Sequence, residues 1–261
     1  MWDFEHGSAG SEFEISYTIP SSCAGALRDG SADIGIIPAA AYATIPDLVI
    51  LPGVAIAARH AVRSILLVSK VPIDKVRTVA LDTSSLTSVA LTKVIFAQWF
   101  GGARAYTSME PNLDVMLRDH DAGLLIGDPA LQVDRSRYRT YDLAEEWNRL
   151  TGKPFVFAFW AVRKAALSEA DPELDLAAVF QDSRDHGLQS DSLEEIARNW
   201  GKRLKMSEAE VKTYLTENIH YHLDPACLQG LQLFFRYAQD CGALPAAPPL
   251  RFYEARKPVA K

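Results

Sequence analysis

The sequence predicts a two-lobed α/β protein in which one β/α body interrupts another and the chain finishes as helices. Three observations carry this expectation. Strand-turn-helix units repeat between residues 33 and 162, the helices among them show buried-face spacing, and after residue 163 the pattern turns to helices only. With 261 residues and 48% hydrophobic content, the chain has material for one large or two modest cores.

The elements follow in order. Ser-Ser-Cys-Ala-Gly-Ala-Leu-Arg-Asp-Gly from Ser21 reads as a short capped helix ended by Gly30, and the apolar strand 33–37 after it is stopped by Pro38. A β-rich run at 62–68 leads through 70–75 into a strand at 78–81. Asp82-Thr-Ser-Ser-Leu-Thr-Ser then opens a helix whose Leu91, Val94, Ile95 and Trp99 share one buried face. Residues 123–126 read as a buried strand with Gly127-Asp128-Pro129 as its turn, 142–150 as a helix, and 155–162 as an apolar strand. Alternation of this kind implies parallel sheets flanked by helices. Helices are predicted at 172–186, 193–204, 207–219 and 225–241, the last with Leu228, Leu231, Phe235 and Ala238 in one stripe. The first lobe is therefore expected to comprise residues 1–72 plus 163–261 and the second 73–162, with crossings near 70–74 and 159–163.

Several function classes lose support at once. The apolar run at 48–58 is broken by Pro52 and Gly53 and is shorter than the roughly 20 residues of a membrane helix, so no membrane role is expected. Acidic residues follow Met1 where a secretory signal would be basic, which points to a cytoplasmic protein. Cys23, Cys227 and Cys241 form an odd set without Cys-x-x-Cys, arguing against a disulfide framework and a zinc knuckle. A formal net charge of −6 disfavours nucleic acid as a partner and leaves a small molecule as the expected ligand. The chain carries no Gly-x-Gly-x-x-Gly, Walker loop, Gly-x-Ser-x-Gly or His-Glu-x-x-His.

The strongest local signal is the stretch from Ala80 to Leu91, where a strand runs into hydroxyl residues at a helix start. Free backbone N–H groups and the positive end of the helix dipole suit an anion there, and Ser84, Ser85, Thr87 and Ser88 add donors. The plainer reading is that Asp82 or Ser84 caps the helix. Ser21 and Ser22 offer a second helix start, for which simple capping is the alternative. Asp128, beyond a buried strand, would orient a substrate hydroxyl or cap the turn after it. His220-Tyr-His222-Leu-Asp224 crowds two imidazoles and a carboxylate, but its spacing matches no zinc signature and Asp224 before Pro225 reads as a cap. Arg59, His60 and Arg63 form a basic cluster that either balances a dianionic ligand or is a solvated surface.

Six segments resemble, in order, the chorismate dehydratase family of the futalosine route to menaquinone. They are Ser21-Ser-Cys-Ala, Ala32-Asp-Ile-Gly-Ile-Ile-Pro, Ser64-Ile-Leu-Leu-Val-Ser, Ala80-Leu-Asp-Thr-Ser-Ser-Leu-Thr-Ser, Leu124-Leu-Ile-Gly-Asp-Pro-Ala-Leu, and Asp142-Leu-Ala-Glu-Glu-Trp with Thr151-Gly-Lys-Pro-Phe-Val-Phe-Ala-Phe-Trp. They span residues 4–163. The resemblance implies a fold like the type II periplasmic binding proteins and dehydration of chorismate to 3-[(1-carboxyvinyl)oxy]benzoate, with no cofactor and no metal. It implies substrate contacts from Ser21, Ser22, Pro38, Ala39, Ser84, Ser85, Thr87, Ser88 and Gly127, with Ser85 and Asp128 as catalytic residues. Family members usually start with a strand and an Asn-Thr-x-Pro-Leu-like segment, whereas this chain starts Met1-Trp-Asp-Phe; Leu86 stands where Arg is common, and Ala39 where Ser is common. Two other readings remain. One is a sister enzyme making 1,4-dihydroxy-6-naphthoate, which uses a histidine near the position of Gly127; the other is a non-catalytic solute-binding protein of the same fold.

Overall fold

The computed structural model describes residues 1–7, 11–168, 171 and 173–255. A short helix α1 (Trp2–His6) and a longer α2 (Pro20–Asp29) precede the strands β1 (Ile34–Pro38) and β2 (Leu48–Ala58). Then come β3 (Ile65–Ser69), β4 (Thr78–Asp82), α3 (Leu86–Ile95), β5 (Ala105–Met109), α4 (Leu113–Asp119), β6 (Ala122–Ile126), α5 (Gly127–Leu131), β7 (Arg139–Asp142), α6 (Leu143–Thr151) and β8 (Phe155–Arg163). The helices α7 (Leu176–Gly187), α8 (Ser190–Leu204), α9 (Glu208–Thr213) and α10 (Pro225–Asp240) complete the chain. Of the helix predicted at 172–186, Pro172 lies outside the described residues. No helix among the described residues is long and apolar enough to cross a membrane.

Two sheets organise these elements. One is three-stranded in the order β1-β8-β2, and the other five-stranded in the order β5-β4-β6-β3-β7. The expectation of parallel sheets holds only at β4–β5 and β4–β6; β8 is antiparallel to both neighbours, and β3 is antiparallel to β6 and β7. Length explains part of this. Only residues 70–77 join β3 to β4, too few for the crossover a parallel arrangement needs, so the chain reverses.

Sheet membership also moves the crossings. β3 hydrogen-bonds with β6 and β7, so the chain enters the second sheet through residues 59–64 and not at 70–74. β8, placed in the second lobe by the sequence boundary, pairs along its length with β1 and β2. Apart from the terminal Ser69 and Arg163 both strands are apolar, and they are buried along most of their length; such runs carry no mark of which sheet they join.

The core runs without a break from one sheet to the other. Ile37, Ile50 and Phe159 of the first sheet share a cluster with Leu67, Val79 and Leu81 of the second, bridged by side chains of α3, α6 and α10. At its centre Trp147 is fully buried, meeting Trp99, Phe155, Phe234 and Tyr237 edge to face. Its indole N–H donates to the Pro154 carbonyl at 3.2 Å. Gly230 lets α10 approach that same carbonyl, because a Cβ there would collide with it. The predicted stripe on α10 is buried at Leu231, Phe235 and Ala238 and half-buried at Leu228, and Leu91, Val94 and Ile95 of α3 are buried as their spacing required.

Candidate active site at the ends of three adjacent strands

β4, β6 and β3 are neighbours in the five-stranded sheet, and the C-terminal ends of β4 and β6 lie beside the N-terminal start of β3. Open α/β sheets place their ligands outside the carboxyl ends of parallel strands. At the end of β4, Asp82 is buried at 1% exposure; its Oδ1 accepts from the Ser84 N–H (2.9 Å) and hydroxyl (2.6 Å), and its Oδ2 from the Ile126 N–H (3.3 Å). Asp82 thus ties the ends of β4 and β6 and caps nothing.

The cap of α3 is Ser85. Its Oγ accepts from the Ser88 N–H at 3.2 Å and donates to the Ser88 hydroxyl at 2.8 Å. The expectation that Asp82 or Ser84 caps this helix is corrected, because the tight 82–84 turn delays the helix start. Thr87 and Ser88 are buried. The Thr87 hydroxyl accepts from the Ala40 N–H at 3.1 Å, so the first turn of α3 abuts the segment after Pro38 and Ala39, at the junction of the two sheets. Among the described residues, the Leu86 and Thr87 N–H groups have no acceptor, and Leu86 is exposed. These two donors at the positive end of a ten-residue helix suit a carboxylate.

Gly127 follows β6 with φ 61°, and its N–H donates to the Ser64 carbonyl at 2.8 Å. The predicted turn is in fact the single-turn helix α5, which has no side-chain cap, so Asp128 does not cap it. Asp128 is exposed, and among the described residues its carboxylate has no hydrogen-bond partner. On the first sheet, Pro20 is the first residue of α2 and Ile19 its cap residue, so Ser21 and Ser22 lie within the first turn and cap nothing. α2 runs antiparallel to β1, with Cys23 against Gly35 and Arg163 beside Gly30. Its start therefore lies toward the Pro38 end of β1. Asp82 and the Thr87–Ala40 bond bring residues 84–88, 127–128 and 38–39 to one corner; among the described residues no hydrogen bond joins Ser21 or Ser22 to it.

Two residues at this corner escaped sequence reasoning. The Tyr214 hydroxyl donates to Ser64 Oγ at 3.0 Å, and Ser64 heads β3. Burial pushes the Tyr214 phenol up, and the Asp128 carboxylate adds to the shift. Ser64 stands in a segment quoted for the resemblance, but Tyr214, 150 residues away, gives no short-range signal. Asp142, the cap of α6, closes the crossing segment: its carboxylate accepts from the N–H groups of Val62, Arg63, Ala144 and Glu145. Burial raises this carboxyl against the pull of those four donors.

Arg59 and the His220–Asp224–Cys227 group find partners within the chain. Arg59 pairs with Asp224 at 2.7 Å, so it is not held ready for a ligand. His220, Asp224 and Cys227 each bring a metal-ligand type of atom within 4.8 Å of the others. Asp224 also caps α10 through the Cys227 N–H (2.8 Å) and bonds His220 Nε2 (2.9 Å). A cavity of about 440 Å³ lies on another face of the first sheet, between Ile36, Trp160 and the helices α1, α7 and α8; none of the anticipated site residues lines it.

The sequence model of a family described as Menaquinone biosynthesis matches residues 1–240. A relative named chorismate dehydratase, from Thermus thermophilus, is 30% identical over 254 residues, spanning 90% of this chain and 89% of its own. Among solved structures, the alkanesulfonate-binding protein SsuA from Xanthomonas axonopodis pv. citri, bound to MOPS, aligns with a TM-score of 0.63 at 16% identity, over 92% of this chain and 87% of its own. The periplasmic aliphatic sulphonate binding protein SsuA from Escherichia coli aligns at 0.62 and 16%, over 95% and 83%. These likenesses show the two-lobed fold of the periplasmic binding proteins.

Proposed function

Because the chain belongs to the menaquinone biosynthesis family, and is thereby an enzyme of that pathway, we propose that it dehydrates chorismate to 3-[(1-carboxyvinyl)oxy]benzoate. One observation supports this reading above the others: the Leu86 and Thr87 N–H groups and the Asp128 carboxylate, none of which has a hydrogen-bond partner among the described residues, stand with the Ser85 cap at one corner against Pro38 and Ala39. A 30% identical relative named chorismate dehydratase supports the same substrate.

The chemistry asks little of a protein base. In chorismate the ring proton on the carbon bearing the enolpyruvyl ether is acidified through the conjugated carboxylate, and departure of the neighbouring hydroxyl leaves an aromatic ring. The elimination is redox-neutral, so holding the two carboxylates and assisting the departing hydroxyl supply most of what is needed. In this reading the α3 start holds one carboxylate, with Ser84, Ser85, Thr87 and Ser88 shaping its seat and Pro38, Ala39 and Gly127 lining the opposite side. Ser21 and Ser22, in the first turn of α2, face the second carboxylate. Asp128 contacts the departing hydroxyl or its water, and the substrate's enolpyruvyl carboxylate takes the ring proton. Incubation of the protein with chorismate, followed by chromatography, is expected to yield the aromatic enol ether. Chorismate recovered unchanged over hours would sink the proposal.

A further inference from the structure

We propose that Tyr214 is a positioning residue of this corner, acting through Ser64 and Gly127 to aim Asp128. The inference rests on the chorismate reading only for its kinetic consequence.

The contacts form a short chain. The Tyr214 hydroxyl donates to Ser64 Oγ at 3.0 Å, the Ser64 carbonyl accepts from the Gly127 N–H at 2.8 Å, and Asp128 is the next residue. Ser64 is buried, with 6% exposure. Among the described residues Gly127 faces open space on its side-chain side, since a Cβ built there would meet no atom within 4 Å, and its φ of 61° lies in the left-handed region that glycine adopts without strain. The Ser64 carbonyl therefore fixes the chain's entry into α5, and the Asp128 carbonyl, accepting from the Gln132 N–H at 3.2 Å, holds the turn from its far end. Tyr214 opens a π turn (Tyr214–Asn218), a geometry frequent at functional sites. At the end of that turn the Asn218 side-chain amide donates to the Ala61 carbonyl at 2.9 Å. The C-terminal helices thus grip residues 61–64 at two points, and between them Arg63 adopts φ 65° with its N–H on Asp142. A turn held this way transmits the packing of one end of the chain to an active-site carboxylate more than eighty residues earlier in sequence, without Tyr214 touching the substrate.

The test pairs Tyr214→Phe with Ser64→Ala, which reaches the same contact from the other side. Amide hydrogen exchange at Gly127 is expected to quicken about tenfold in either variant, the weight of one hydrogen bond, while Leu124 in the preceding strand keeps its protection. With chorismate, kcat is expected to fall about tenfold, with KM within twofold of the wild type. The double variant is expected to be no worse than the weaker single, because both remove one contact. Unchanged exchange at Gly127 in Tyr214→Phe, or losses that multiply in the double variant, would overturn the inference. If the wild type leaves chorismate intact, the functional reading fails, and the exchange measurement still decides this one.

Discussion

The starts of α3 and α10 are built from similar material and reach opposite states. At α10, Asp224 caps the helix through the Cys227 N–H and holds Arg59 and His220 on its other oxygen, so every partner is found within the chain. At α3, the neutral Ser85 caps the Ser88 N–H, and the Leu86 and Thr87 N–H groups stay open among the described residues. A helix start closed by charge contributes stability. One capped by a hydroxyl keeps its positive end for an incoming anion. Substitutions should separate these two roles, stability at one start and turnover at the other.

The largest effect is expected on the open side. Asp128→Asn should lower chorismate turnover about 100-fold while the melting temperature stays within a few degrees, which is what the proposed role at the departing hydroxyl requires of an exposed side chain. Equal turnover in steady-state assays would remove the carboxylate from the reaction. Next is the closed side: Asp224→Ala is expected to cost about 2–3 kcal/mol in urea unfolding, since it removes a cap and strands His220 and Arg59, with turnover per folded molecule retained. Ser85→Ala comes third, with about 1 kcal/mol of stability lost and turnover cut about tenfold, a combination that places one residue in both categories. Arg59→Ala is the smallest, below about 1 kcal/mol and fading as salt is added, because the pair is open to solvent.

Acid should sharpen the contrast. Burial works against ionisation of Asp224, yet the Cys227 N–H, Arg59 and His220 hold its carboxyl well below the usual carboxylate range. A folded-state value below the unfolded one gives stability that is complete above about pH 4 and is lost as pH falls toward the folded value. Urea midpoints of the wild type should therefore drop more steeply below pH 4 than those of Asp224→Asn.

Much of the architecture was legible because period and punctuation agree. Gly30, with φ 83°, ends α2 as predicted, and the i, i+3, i+4 apolar faces of α3 and α10 are the buried ones. The partnership of β3 and β8 was not legible, since strands apolar on both faces fit either sheet. At the candidate site, local chemistry marked the hydroxyl-rich α3 start and Gly127-Asp128, and the structure places both at the ends of neighbouring strands. The identity of the cap was not legible: choosing Ser85 over Asp82 or Ser84 depends on where Asp82 turns, and that is fixed by Ile126 from another strand. Tyr214 and Ser64 meet only through tertiary packing, which no local pattern encodes.

The placement of β8 between β1 and β2 has a consequence for how the polypeptide is made. The five-stranded sheet has all its strands once residue 142 has been synthesised, whereas β1 and β2 gain their shared neighbour only with residues 155–163. The outer edge of β2 waits longer still, for the backbone of residues 220–221 and 251–253. On a growing chain, the five-stranded sheet can therefore pair all its strands well before β1 and β2 receive the strand that joins them, about a hundred residues after β2. Unpaired strand edges of this kind are what make partly folded chains prone to aggregation, so this interval is the expected weak point of folding.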